Sequence, residues 1–175
     1  MSTPSPDGRH EENSHALDWE AAYLELLPKV FRFLWFRVGE RQLAEDLAST
    51  TFEKAWRKRQ TFRGDLTSFS KWVFVIARNV AAGHRRRTRS DSELTERQPD
   101  HRGPSPEQAA ETISDGERVA RLLVGLGPRE RDLIGLKYGG GLTNRAIAEL
   151  TGLSESNVGT ILHRAVERLR REWDR

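Results

Sequence analysis

The sequence predicts an all-α protein: two small helical domains joined by a flexible linker, the C-terminal one a helix-turn-helix. Three observations predict this. Apolar residues recur at helical spacing through most of the chain, and no alternating strand pattern of useful length interrupts them. A polar stretch at 88–106, with Ser, Asp, Glu, Gln and three prolines, separates two such sets. Near the C-terminus the small Ala148, the turn residue Gly152 and the apolar Val158 and Ile161 fall in helix-turn-helix register.

Taken in order, residues 1–16 are polar and contain Pro and Ser, the composition of a disordered tail. Asp18 suits an N-cap, and Leu24, Leu27, Phe31, Leu34, Trp35 and Val38 give a stripe that stops at Gly39. Pro28 is expected to kink or split this helix, because it removes a hydrogen bond and crowds the preceding turn. A second helix follows in "RQLAEDLASTTFEKAWRKR", its stripe formed by Ala44, Leu47, Ala48, Thr51, Phe52, Ala55 and Trp56. "QTFRGDLTS" breaks the pattern at Gly64. A third helix is expected from Thr67 or Ser68, with Phe69, Trp72, Val73, Ile76, Ala77 and Val80 as its core face. The first domain is therefore placed at 17–88 and the linker at 89–105. Helix resumes after Pro106, which suits a first helical position, and the second domain takes 106–175. Val119, Leu122, Leu123 and Leu126 supply one stripe; Leu133, Ile134 and Leu136 supply the next, which ends at the glycines 139–141. Two short helices follow, with Thr143 and Ser154 as N-caps.

Charge and composition limit the function classes. Net charge is only +3, yet residues 67–90 hold six basic side chains and no acid, and 118–175 hold eleven basic against seven acidic. Between them, 91–117 hold eight acids against two bases. Two basic blocks around an acidic spacer suggest two surfaces for a polyanion. The chain has no cysteine, which excludes disulfides and thiolate zinc sites and fits a reducing compartment. No run approaches the roughly 20 apolar residues of a membrane span, and "MSTPSPDGRHEENSH" has no apolar signal core, so a cytoplasmic protein with no membrane association is expected.

The last helix carries the sharpest signal. Opposite its apolar stripe it presents Ser156, Asn157, Thr160, His163, Arg164 and Arg168. Short hydrogen-bonding side chains and arginines can reach base edges in a major groove, and a capped helix N-terminus suits phosphate. In the first domain, "TFRGDLTSFSKW" mixes rings with cations. Phe62, Phe69, Trp72 and Phe74 could stack on unpaired bases while Arg63 and Lys71 hold phosphates. At helical spacing Phe69 reads more readily as core. Asn79 and the arginines 85–87 extend the polar, basic face.

With these blocks in place the sequence resembles the extracytoplasmic-function (ECF) sigma factors of bacterial RNA polymerase. "AEDLASTTFEKAW" and "FRGDLTSFSKWVFVIARN" resemble the family's region 2, and "GLGPRERDLIGLKYGGGLTNRAIAELTGLSESNVGTILHRAVERLR" resembles region 4. The resemblance implies a sigma factor with no catalytic site, cofactor or metal of its own. It implies core RNA polymerase and promoter DNA as partners, an anti-sigma protein as a further one, and a monomer when free. Glu45, Asp46, Glu53 and Arg57 would dock on the polymerase. Phe62, Arg63, Gly64, Asp65, Lys71, Trp72, Arg78 and Asn79 would melt and hold the minus-10 element. The outer face of the last helix would read minus-35. The chain departs from the family at Ser49–Thr50, Gly83–His84, Ala146 and Gly159. Two other readings compete: a helix-turn-helix regulator on duplex DNA without a sigma role, and a metal-dependent nuclease using Glu45, Asp46 and Asp65. The first leaves the "FRGD…W…ARN" block unexplained; in the second, adjacent carboxylates on a helix point to different sides.

Overall fold

The computed structural model describes residues 17–94 and 115–174, the backbone alone at 91–94. The described residues are helical throughout, without strands: α1 (Trp19–Val38), α2 (Arg41–Arg57), a 3-10 turn (Arg59–Thr61), α3 (Leu66–Leu94), α4 (Asp115–Val124), α5 (Pro128–Ile134), a π-helical turn (Gly135–Gly139), α6 (Asn144–Thr151) and α7 (Glu155–Trp173).

The local signals form as physical chemistry requires. Asp18 accepts hydrogen bonds from the Glu20 and Ala21 amides, both at 3.1 Å, and neutralises part of the exposed N-terminal dipole of α1. Gly39 adopts φ 80° and returns its amide to the Trp35 carbonyl, the left-handed stop that glycine makes at least cost. Pro28 does not break α1, which runs continuously through it. Leu24, the residue whose carbonyl loses its amide partner, is 63% exposed, so water can take that carbonyl. Leu26, Val30, Phe33 and Leu34 meanwhile bury the opposite side. The helix α3 begins at Leu66 and continues to Leu94, so it takes in 89–94, which sequence assigned to the linker. Residues 1–16, the rest of the expected linker and the expected start of the next helix after Pro106 lie outside the described residues; the stripe Val119, Leu122 and Leu123 of that helix lies in α4.

The α1, α2 and α3 helices pack as a three-helix unit. Thr51, fully buried in α2, satisfies its hydroxyl on the Leu47 carbonyl at 2.7 Å. Trp56, expected in the α2 stripe, instead stands 53% exposed with the Arg59 guanidinium stacked 4.0 Å from its ring centroid. On that side it meets only the first residue of α1, Trp19, edge-on at 6.1 Å between ring centroids.

The second unit, α4 to α7, does not stand apart. Its buried residues Leu133, Ile134, Leu136 and Ile147 belong to the same apolar cluster as Phe33, Phe69 and Phe74. The π turn lies on α1. A Cβ built at Gly139 would lie 2.8 Å from the Phe33 amide nitrogen, and one at Gly140 would lie 2.8 Å from Phe74 Cζ. The glycines expected only to stop a helix therefore also let two backbones meet.

Candidate nucleic-acid interface

The C-terminal pair α6–α7 has the geometry of a helix-turn-helix. Thr143 Oγ1 accepts from the Ala146 amide at 3.1 Å and Ser154 Oγ from the Asn157 amide at 3.2 Å, so both expected caps form. Gly152 takes φ 73° between the helices. Val158, Leu162 and Ala165 turn α7 inward. That leaves Ser156, Asn157, Thr160, His163 and Arg164 exposed on the outer side. Neither His163 nor Arg164 has an ion-pair partner among the described residues, so both stay available to a ligand. Arg168 sits differently. Its guanidinium is half-buried and donates to the Gly125 carbonyl at 2.6 Å and Glu130 Oε2 at 3.3 Å, which ties α7 to the α4–α5 turn.

In the first domain the structure gathers Phe62 and Trp72 at 5.2 Å between ring centroids, with Phe69 5.4 Å from Phe62 and Trp19 4.7 Å from Phe69. Phe62 and Trp72 are half-buried and keep an accessible edge. Phe69 is 1% exposed and Phe74 fully buried, so Phe74 is core and not a stacking surface. Its helical period puts it against Phe33 (5.7 Å between centroids). Gly64 has φ 152°, and a Cβ there would meet Ser68 Cβ at 3.0 Å and Phe62 Cζ at 3.1 Å, so the loop needs glycine to hold its ring in place. Asp65 caps α3 by accepting from the Ser68 amide at 2.8 Å; that backbone hydrogen bond holds its carboxyl below the ordinary aspartate range. Arg63 is exposed and donates to the Gln60 and Phe62 carbonyls.

The eight residues expected at minus-10 do not share one surface. Trp72 and Asn79 lie seven residues apart on one side of α3; Lys71 and Arg78, also seven apart, lie about 100° around the axis. The second pair faces α5 and α6. Lys71 Nζ pairs with Glu149 at 2.5 Å. Arg78 pairs with Asp132 at 3.0 Å and donates to the Leu150 carbonyl at 2.6 Å. The side chain of Arg37 pairs with the same Asp132. Burial pulls the Arg37 guanidinium down to about 10, with smaller contributions from Arg78, Arg85 and Arg131. Hydrogen bonding from Lys71 lowers Glu149. Sequence reasoning missed Asp132 and Glu149 altogether. A lone acid gives no local signal when its partners are remote, and the Asp132 contacts span 95 and 54 residues.

On α2, Glu45, Asp46, Glu53 and Arg57 are all exposed. Glu45 pairs loosely with Arg41 at 3.3 Å, and Glu53 with Arg57 at 2.5 Å. Beside them opens a groove of about 850 Å³ walled by Trp19, Tyr23, Phe52 and Trp56. Among the described residues no group of three or more His, Asp and Glu is placed to hold a metal, and no helix is long and apolar enough to cross a membrane.

Comparison with known proteins gives the family. Residues 22–90 match Sigma-70 region 2, and residues 116–169 match Sigma-70 region 4. The chain is 32% identical over 163 residues to the ECF RNA polymerase sigma factor RpoE of Cereibacter sphaeroides, covering 86% of each. It is 30% identical over 145 residues to the ECF sigma factor BldN of Streptomyces coelicolor, of which it spans 55%. Among solved structures it is similar to the sigma factor RpoE of Bartonella quintana in complex with the anti-sigma factor NepR. The TM-score is 0.67 at 25% identity, over 88% of this chain and 95% of that one. With both sigma-70 regions matched in order and a relative of this identity along most of its length, the chain belongs to the ECF sigma factors, the subunits that direct promoter-specific initiation by bacterial RNA polymerase.

Proposed function

We propose that the two nucleic-acid faces divide the promoter between them: α7 reads duplex minus-35 through Ser156, Asn157, Thr160, His163 and Arg164, and the Phe62–Trp72–Asn79 side of α3 takes unpaired minus-10 bases. The observation that carries this is their difference in chemistry within one chain. A polar, capped helix face with an exposed arginine and histidine suits base edges in a groove. Half-buried rings beside a glycine turn suit a base taken out of its stack. Arg63, Gly64 and Asp65 shape that loop, and Arg168 supports α7 from behind. The α2 acids Glu45, Asp46 and Glu53, with Arg57 and the adjacent aromatic groove, form the polymerase-docking face. The boundaries are residues 17–88 for region 2 and 106–175 for region 4, with a linker between. The protein works in the cytoplasm, with no catalytic site and no cofactor. An anti-sigma protein is a further partner, supported by the similarity to a sigma factor solved with one.

The test is transcription in vitro with sigma-free core polymerase on a pool of genomic promoters. Promoter-specific transcripts that depend on the added protein are expected. Their absence, with a duplex-DNA footprint retained, would favour the simple helix-turn-helix regulator.

A further inference from the structure

Positive charge also collects away from the faces proposed for DNA. Arg37 of α1, His84 and Arg85 of α3 and Arg131 of α5 line one crevice of about 420 Å³, and no acid lines it among the described residues. Val38, Leu43 and Pro128 give it an apolar wall. None of these residues belongs to the Phe62–Trp72–Asn79 side of α3, to the outer face of α7 or to the acidic face of α2.

The charge here is not balanced from within. Asp132, next to Arg131 in sequence, already receives both Arg37 and Arg78. Arg131 places its two terminal nitrogens on the Arg37, Val124 and Leu126 carbonyls, and its Nε is buried with no hydrogen-bond partner among the described residues. Arg85 is exposed and has no ion-pair partner among the described residues. Burial lowers the Arg37 guanidinium to about 10, and Arg78, Arg85 and Arg131 push it the same way. Four guanidiniums thus gather about one carboxylate, an arrangement that a further negative charge would relieve.

Shape and chemistry limit what that charge can be. A guanidinium fork matches phosphate oxygens two at a time. The volume lies in the range of about 300–1,000 Å³ that small ligands fill. The Arg37 side chain is only 21% exposed. A phosphodiester in a duplex is held between two sugars and presents only its outer oxygens, which suits Arg85 at the rim and leaves Arg37 out of reach. A small molecule with a terminal phosphate reaches both.

We propose that this crevice binds a small anion carrying two or more linked phosphates. Arg37 and Arg131 hold the phosphates from the inner side and His84 and Arg85 from the rim. Val38, Leu43 and Pro128 lie against the apolar body, where the molecule has one. Such a ligand touches α1, α3 and α5 together, so its binding stabilises the folded chain.

The experiment uses the full chain at constant ionic strength, with pyrophosphate and a nucleoside diphosphate as probes and chloride as the matched control. Calorimetric titration should give saturable one-to-one binding of pyrophosphate, and the melting temperature should climb with its concentration. Arg85→Ala should weaken binding about tenfold, the loss of one charge-assisted contact. Leu43→Trp removes no charge but fills the crevice, so it should abolish binding with helix content by circular dichroism unchanged. Arg86→Ala with Arg87→Ala removes two exposed charges that do not line the crevice, and salt screening should keep the affinity within about twofold. Tighter binding of the nucleoside diphosphate than of pyrophosphate would identify a nucleotide with its ring on the Leu43 wall. Equal binding would identify the phosphate chain alone, and either result supports the site. The site is overturned if both probes do no more than chloride, or if the Arg86 and Arg87 double variant loses as much as Arg85→Ala. Unchanged binding by a folded Leu43→Trp overturns it too. So does a weakening of duplex DNA binding by Arg85→Ala while pyrophosphate affinity stays fixed, which would give the crevice to the DNA backbone. Should Leu43→Trp unfold the chain, Arg85→Ala set against the Arg86 and Arg87 double variant decides alone.

Discussion

The two helices proposed to face DNA are built on opposite plans. The α7 helix keeps its outer side clear: its N-cap is local, its inner stripe is buried, and His163 and Arg164 stay exposed and without ion-pair partners among the described residues. On α3 the ligand residues are divided: the rings and Asn79 stay accessible on one side, while Lys71 and Arg78 are held by another domain on the other. On the proposed reading, the difference teaches that a face for an intact duplex can be finished within one small unit. The face proposed for an unpaired strand has half-buried rings, and its cations Lys71 and Arg78 are paired with acids of another unit.

The comparison can be broken or sharpened by mutation. The largest effect is expected away from both DNA faces. Reversing Glu45 and Asp46 to Lys should weaken core-polymerase binding about 100-fold or more, since charge pairs desolvated in an interface cost several kcal/mol when inverted. Both side chains are exposed, so circular dichroism and the melting curve should not move. Retained co-purification with core would remove α2 from the docking face. Next comes Arg164→Ala, which should cost about 1–3 kcal/mol at one base position of minus-35 and relax preference there. An equal loss on every minus-35 variant would instead assign Arg164 to a phosphate. On α3's side, Phe62→Ala should slow open-complex formation by about tenfold, the cost of roughly one stacking contact. A template mismatched at minus-10 should recover part of the loss. Permanganate reactivity of unpaired thymines reads both, and equal opening of the matched template by parent and variant would move the melting site elsewhere. The smallest effect is Ser154→Ala. Losing that cap should cost about 1 kcal/mol of stability, with weaker minus-35 binding and unchanged opening of a pre-melted template. Thermal unfolding and a duplex-binding titration together check it.

What the sequence made legible follows from how far each cause reaches. Asp18, Thr143 and Ser154 cap amides two or three residues away, so the signal and its effect share one short window. The α7 face was readable for the same reason: its apolar stripe fixes which side remains outside. Pro28 does not split α1 because the cost of a missing hydrogen bond depends on whether water can reach the freed carbonyl, and exposure is a property of the packed structure. Trp56 misled because helical spacing marks a stripe without telling how wide the partner helix makes it. Gly139 and Gly140 carried a true stop signal that concealed a second role, since the Phe33 and Phe74 they meet lie far earlier in the chain.

The π turn has a consequence for phase. Its widened coil, closed by the Gly140 amide on the Gly135 carbonyl at 2.8 Å, fits one residue more than an α-helical turn would. Each residue advances a helix by about 100°. Deleting a single glycine there would let the turn relax to α-helical pitch and rotate everything downstream by roughly that angle. The helix-turn-helix would then be aimed a quarter-turn away from its present direction relative to α5, with every side chain in α7 intact. The one extra residue works as an angular setting, and it shares its backbone with the surface that meets α1.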